Sequence, residues 1–131
     1  MGGEPYQYVV DFNDDLQLAL DRLRSETFSK GQFYGAERKP KSPKQALELA
    51  GETGTRSILD ILKVQDDPDY CCVAPLRPEE LERYFGTDRP SAQMVEGSDA
   101  FWEDLERGKA RCVIVYEGES KKLFFAGYSF D

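Results

Sequence analysis

The chain has 131 residues, with 8 Phe, 7 Tyr and 1 Trp, enough apolar mass for one domain and too many aromatics for a disordered segment. Its formal charge of −8 and pI near 4.6 set it against a nucleic-acid phosphate backbone and in favour of a soluble protein or a basic partner. It contains no histidine, which excludes Ser-His-Asp and Cys-His catalysis, imidazole metal sites and the usual neutral-pH proton shuttle.

Residues 1–5 read as a flexible lead-in to a single domain spanning 1–131. Tyr6 to Phe12 alternates as a strand, with Tyr6, Tyr8, Val10 and Phe12 on one face. Asn13 is positioned as an N-cap. Leu16, Leu20 and Leu23 then recur at helical spacing, and the helix is expected to run to Ser29 or Lys30, where Gly31 stops it. Arg38-Lys39-Pro40-Lys41-Ser42-Pro43-Lys44 is a basic, proline-punctuated loop. Ser42, Pro43 and Gln45 form a helix start of capping-box type, followed by Ala46, Leu47, Leu49 and Ala50.

Gly51-Glu52-Thr53-Gly54-Thr55-Arg56 has the composition of a loop that cradles an anion. It lacks the Gly-Lys-Ser/Thr of a P-loop, and a helix end plus turn accounts for it. Ile58, Leu59, Ile61 and Leu62, within Thr55–Val64, fit either a helix face or a strand buried on both sides, and the flanking turn residues favour a strand. Asp60 interrupts this run, as Asp11 interrupts the first strand. Each is expected to pair with Arg or Lys. Asp66-Asp67-Pro68-Asp69 is a turn without the spacing of a calcium loop. Tyr70 to Ala74 is the next strand. Cys71 and Cys72 within it, and Cys112 further on, read as buried small hydrophobes.

Pro78 opens a short helix with Glu79 and Glu80 in its first turn and Leu81 and Phe85 on its apolar side, ended by Gly86. A weak helical turn is expected around Ser91–Val95. Ser98-Asp99 caps a helix expected to reach Arg107, buried through Phe101, Trp102 and Leu105 and wet through Glu103, Asp104 and Glu106. Cys112–Tyr116 and Leu123–Ala126, joined across Gly118, form a C-terminal β-hairpin. Neither run alternates cleanly, so both faces should be covered at the centre of a sheet. The expected fold is α+β: a single mixed β-sheet of about five strands with three to four helices packed on it.

The acid is uneven. Residues 1–65 carry 10 acidic and 9 basic residues, and residues 66–131 carry 15 and 8. This points to a small acidic protein-interaction module, of the kind that inhibits, regulates or confers immunity. The expected partner is a protein, with a basic surface and self-association both compatible, and neither nucleic acid nor membrane is expected to be involved. The expected binding residues are Tyr116, Tyr128 and Phe130 near the hairpin's far ends, with Glu103, Asp104 and Glu106, and the last strand is expected to be an open sheet edge. The alternative is a small-molecule-binding domain or enzyme using carboxylate, Arg and Tyr groups in a sheet–helix cleft. No residue is assigned a catalytic or metal-binding role, and no cofactor is expected. Without a signal-peptide pattern or an apolar stretch of membrane-spanning length, a cytoplasmic protein is expected.

Overall fold

The computed structural model describes residues 3–130. Five strands form one mixed sheet in the order β1-β5-β4-β3-β2. They are β1 Pro5–Asp11, β2 Lys63–Val64, β3 Cys72–Pro75, β4 Ala110–Glu117 and β5 Ser120–Tyr128. β5 runs antiparallel to both its neighbours, β1 and β4, whereas β4, β3 and β2 are mutually parallel. The class is the α+β one expected, and the hairpin is β4–β5.

The strand period of two sorts the core into two layers. On one face Tyr6, Val73, Ala110, Cys112, Leu123 and Phe125 pack against Ala19, Leu20 and Leu23 of α1 (Leu16–Ser29) and against Ile58 and Ile61. On the other, Val113, Val115, Phe124 and Ala126 meet Val95, Phe101 and Leu105. Those residues belong to α4 (Ala92–Glu96), α5 (Asp99–Asp104) and the residue after it, joined by α3 (Pro78–Phe85). α2 (Pro43–Ala50) stacks outside α1. Phe124 and Phe125 are both fully buried on opposite faces, which is why their run shows no alternation. Each contributes about 1.5–3 kcal/mol of burial.

Local chemistry starts the helices. Asp15 is the N-cap of α1, accepting from the Leu18 amide at 3.1 Å. Asn13, expected as the cap, instead accepts from the Asp15 amide at 2.8 Å, an Asx turn leading into the helix. Ser42 accepts from Gln45 N at 3.1 Å as expected, and Gln45 Oε1 reaches one residue further back, to the Lys41 amide at 2.6 Å. The weak turn after Ser91 is a fifth helix, α4, capped by Ser91 on Met94 N at 3.1 Å.

Of the lead-in, residues 1 and 2 lie outside the described residues, the Glu4 amide donates to Ser129 Oγ at 2.9 Å, and Pro5 is the first residue of β1. Three expectations need correction. Thr55–Val64 is no continuous strand. Ile58–Asp60 is one 3₁₀ turn, and only Lys63 and Val64 pair. Side chains take over the backbone there, Ser57 Oγ accepting from Leu59 N and Asp60 from Thr55 N. The strand expected at Tyr70 begins at Cys72, because Cys71 has φ +60° in the tight connection between two parallel strands. α5 stops at Asp104 instead of Arg107. Leu105 turns extended into the core, and the Gly108 amide donates to the Tyr128 carbonyl at 2.9 Å, bringing the chain back to the sheet.

Candidate protein-interaction face

The layering of the fold also sorts charge. Residues 78–106, which contain α3, α4 and α5, carry nine acidic and two basic residues. Residues 12–62, which cover the other face, carry eight of each. The asymmetry between the halves of the chain is therefore one between the two faces of the sheet, and the outer surface of α3–α5 is the acidic one. Glu79, Glu82, Asp88, Glu96, Asp99 and Glu103 are exposed there and make no ion pair among the described residues.

Beneath these carboxylates runs an aromatic ribbon. Tyr84 and Phe101 meet edge to face with centroids at 5.7 Å, Phe101 and Trp102 at 5.6 Å, and Trp102 and Tyr128 at 5.9 Å. Phe101 is buried, while Tyr84, Trp102 and Tyr128 are half-buried, so the ribbon reaches the surface at its ends. The Tyr84 hydroxyl lies 2.6 Å from Asp104 Oδ2 and accepts from Arg83 at 2.9 Å. Partial burial, then the hydrogen bond to Asp104, push its pKa above the ordinary tyrosine value.

Of the six residues expected to bind, this face unites four. Glu103 and Asp104 lie on α5, Glu106 just after it and Tyr128 at the end of β5 beside Trp102. Phe130 follows Tyr128, but its ring packs tightly over Gly108, where a Cβ would come within 2.4 Å of it. Glu106 is held by Lys109 at 3.1 Å. Tyr116 stands apart, beside the hairpin turn opposite Lys121, with Arg89 stacked 4.2 Å from its ring centroid. The tyrosines most open to solvent are Tyr70, 60% exposed, and Tyr34, 44%, neither of which was singled out. Their signal was local: each sits in a loop, next to a turn-forming Asp or Gly.

The last strand is not an open edge. β5 is paired on both sides, by β1 and β4, and the sheet ends at β1 and β2. The missed pairing joins residues at opposite ends of the sequence, which no local pattern reveals.

A second polar cluster lies on the opposite face. Asp60 is completely buried. Its Oδ1 accepts from the Thr55 amide at 2.6 Å and the Thr55 hydroxyl at 2.8 Å, while Oδ2 abuts Gly54, whose φ is +73°. The glycine loop does cradle an anion, and the anion is Asp60 itself. Thr55 supplies both hydrogen bonds to Oδ1. Arg24 acts on it through space, and the Arg56 amide also favours its charge, although Oδ2 completes no hydrogen bond of normal geometry. Burial outweighs these effects and raises the pKa of Asp60. Asp11 does pair as expected, with Lys122 at 3.1 Å.

Close by, Tyr8 Oη accepts from Ile58 N at 3.2 Å, and the buried Tyr6 hydroxyl has no hydrogen-bond partner among the described residues. This convergence of Asp, Tyr and Arg is what the enzyme alternative required, but its carboxylate is sealed from solvent. A cleft of about 320 Å³ opens instead on the acidic side, between Val9, Ser91, Gln93, Val115, Tyr116 and Lys122.

No group of three or more His, Cys, Asp or Glu among the described residues is placed to hold a metal ion, and no helix among them is long and apolar enough to cross a membrane. No protein-family model matches the chain, and neither a curated protein nor a solved structure matches it.

Proposed function

We propose that the chain is a small, non-catalytic, cytoplasmic interaction module that covers a basic surface on a protein partner with the outer face of α3–α5. One observation carries this reading: the fold collects nine acidic residues against two basic ones on a single layer and leaves the other layer neutral. Solvated carboxylates over a half-exposed aromatic ribbon supply the two components of a recognition surface, charge for steering and rings for anchoring. An inhibitor or immunity-type protein masking a basic enzyme has this kind of surface.

The test is capture from the native host with low-salt and then high-salt washes. One stoichiometric partner, released by salt, is expected. With Glu79, Glu82 and Glu103 changed together to Gln, association should slow by roughly tenfold, the low end of electrostatic steering. Absence of a partner in either wash overturns the proposal. The cleft beside Tyr116 favours a second reading, a small-molecule site using Tyr116, Lys122 and Glu117. A thermal-shift screen of anionic and zwitterionic metabolites checks it, with an increase in melting temperature that Lys122→Ala abolishes as the supporting result.

A further inference from the structure

The two edges of the sheet differ. β2 is two residues long, and the Val64 amide donates to Gln17 Oε1 at 2.8 Å, so that edge is short and capped. β1 is seven residues long, and its register against β5 runs unbroken from Pro5 to Asp11. Its proline is its first residue and its one charge is the last. Between them lies Tyr-Gln-Tyr-Val-Val, without lysine or bulge. Natural sheets pair or cover an edge of this length and composition.

The hydrogen-bond parity of that edge is fixed. Ser129 N donates to the Glu4 carbonyl at 3.0 Å, and an antiparallel ladder alternates. Glu4, Tyr6, Tyr8 and Val10 therefore direct their backbone groups to β5, and Gln7, Val9 and Asp11 direct theirs outward. The same three side chains are exposed on the acidic-layer side, and Val9, at 48%, floors the cleft beside Tyr116.

We propose that β1 pairs antiparallel with β1 of a second copy of this chain, about a two-fold axis through Val9. Parity requires outward residues to face outward residues. With Val9 opposite Val9, Gln7 falls opposite Asp11, an amide donor against a carboxylate acceptor, and Tyr8 falls opposite Val10. No like charges meet, and about six backbone hydrogen bonds form. The strip is nearly neutral in a chain of net charge −8, because Lys122 already neutralises Asp11. A basic partner is drawn to the α3–α5 surface, whereas this strand complements itself. The paired sheet would be continuous through both copies, and the two Val9-floored clefts would join into one trough across the axis. Two chains of like net charge repel, so added salt strengthens this association while it weakens binding of a basic partner. That opposite sign separates failure of one proposal from failure of the other.

The experiment is sedimentation equilibrium of the full chain at low and high salt, with amide hydrogen exchange measured by NMR on the same samples. The expected mass is twice the 14.9 kDa of the chain, with the dimer fraction rising with salt. The Gln7, Val9 and Asp11 amides should be protected in proportion to dimer, and those of Tyr6, Tyr8 and Val10 at every concentration. Val9→Lys sets lysine against lysine across the axis, and Val9→Pro removes one outward amide while sparing the β5 ladder. Both should halve the mass with the Tyr8 and Val10 amides still protected. A monomer at all concentrations and salts with freely exchanging odd amides overturns the proposal. A dimer that Val9→Lys leaves intact does so too.

Discussion

Asp60 shows how a single buried carboxylate organises the loop that precedes it. Its folded pKa lies above its unfolded value, so between the two the folded chain binds more protons than the unfolded one. Stability attributable to this group therefore falls as pH rises through that window, which opens at about 3.9. Asp60→Asn keeps an acceptor for Thr55 and cannot ionise. The difference in unfolding free energy between wild type and variant should move in the variant's favour as pH rises, measured by urea denaturation at a series of pH values. Asp60→Ala leaves the buried Thr55 amide without an acceptor and should cost about 2–3 kcal/mol.

Tyr6 is the opposite case. Its ring lies over Gly127, where an added Cβ would come within 2.6 Å of the ring, and its hydroxyl is buried without a partner among the described residues. Tyr6→Phe should stabilise the fold by up to about 1 kcal/mol, read from urea denaturation at neutral pH, because removing an orphaned buried hydroxyl removes a desolvation cost. The oddity of Asp60 was legible as a carboxylate in an apolar run. Its partner was not, because a strand reading places Thr55 and Asp60 on opposite faces, whereas a 3₁₀ turn folds one back onto the other.

α3 is tied to the sheet by one ion pair. Arg111 of β4 grips Glu80 with two nitrogens, at 2.7 and 3.0 Å, while its Nε donates to the Ala74 carbonyl at 3.0 Å. Glu80 also accepts from the Arg77 amide at 3.0 Å, closing the start of its own helix. Burial works against the Glu80 charge, yet these bonds together hold its pKa below the usual glutamate value. Stability from this pair is present at neutral pH and is lost as pH falls through the glutamate range. Glu80→Gln leaves Arg111, with its side chain 12% exposed, short of a counter-charge and should cost about 3 kcal/mol. Glu82→Gln, on the wet side of the same helix, should stay within about 0.5 kcal/mol.

Helix starts were readable because Ser42, Ser91 and Ser98 each solve a local problem within three residues. The end of α5 was not, since it is dictated by Tyr128, some twenty residues later, drawing Gly108 into the sheet. The interface residues divide the same way. Glu103, Asp104 and Glu106 share a helix and its margin, so they were bound to be neighbours. Tyr116 and Tyr128 share only a hairpin, and six strand residues on each arm hold them about 20 Å apart.

At the scale of the whole molecule the three cysteines are free and unequal. Cys72 and Cys112 are buried, and burial pushes the Cys112 thiol up to about 12. Cys71 is half-buried, its pKa also raised, by burial first and then by the charge of Asp60. A disulfide reagent applied to the native chain at pH 8 should titrate one thiol, slowly, and the remaining two only after denaturant is added.

The charge gradient in the sequence became a property of one face because each half of the chain supplies the helices for one side of the sheet. Composition made the gradient visible, but only the topology assigns it a surface.

The pairing of β1 with β5 has a consequence for biosynthesis. The Glu4 amide and the Ser129 hydroxyl that it reaches lie 125 residues apart in sequence. At roughly 5–20 residues per second, a ribosome takes on the order of 10 s to deliver the second after the first. For that interval Tyr-Gln-Tyr-Val-Val is a β-prone segment with both sides unpaired, beside a helix whose apolar face has no sheet to cover. The nascent chain cannot close its core from the N-terminus onward. It must wait for β5, and until then β1 and the apolar face of α1 stay uncovered.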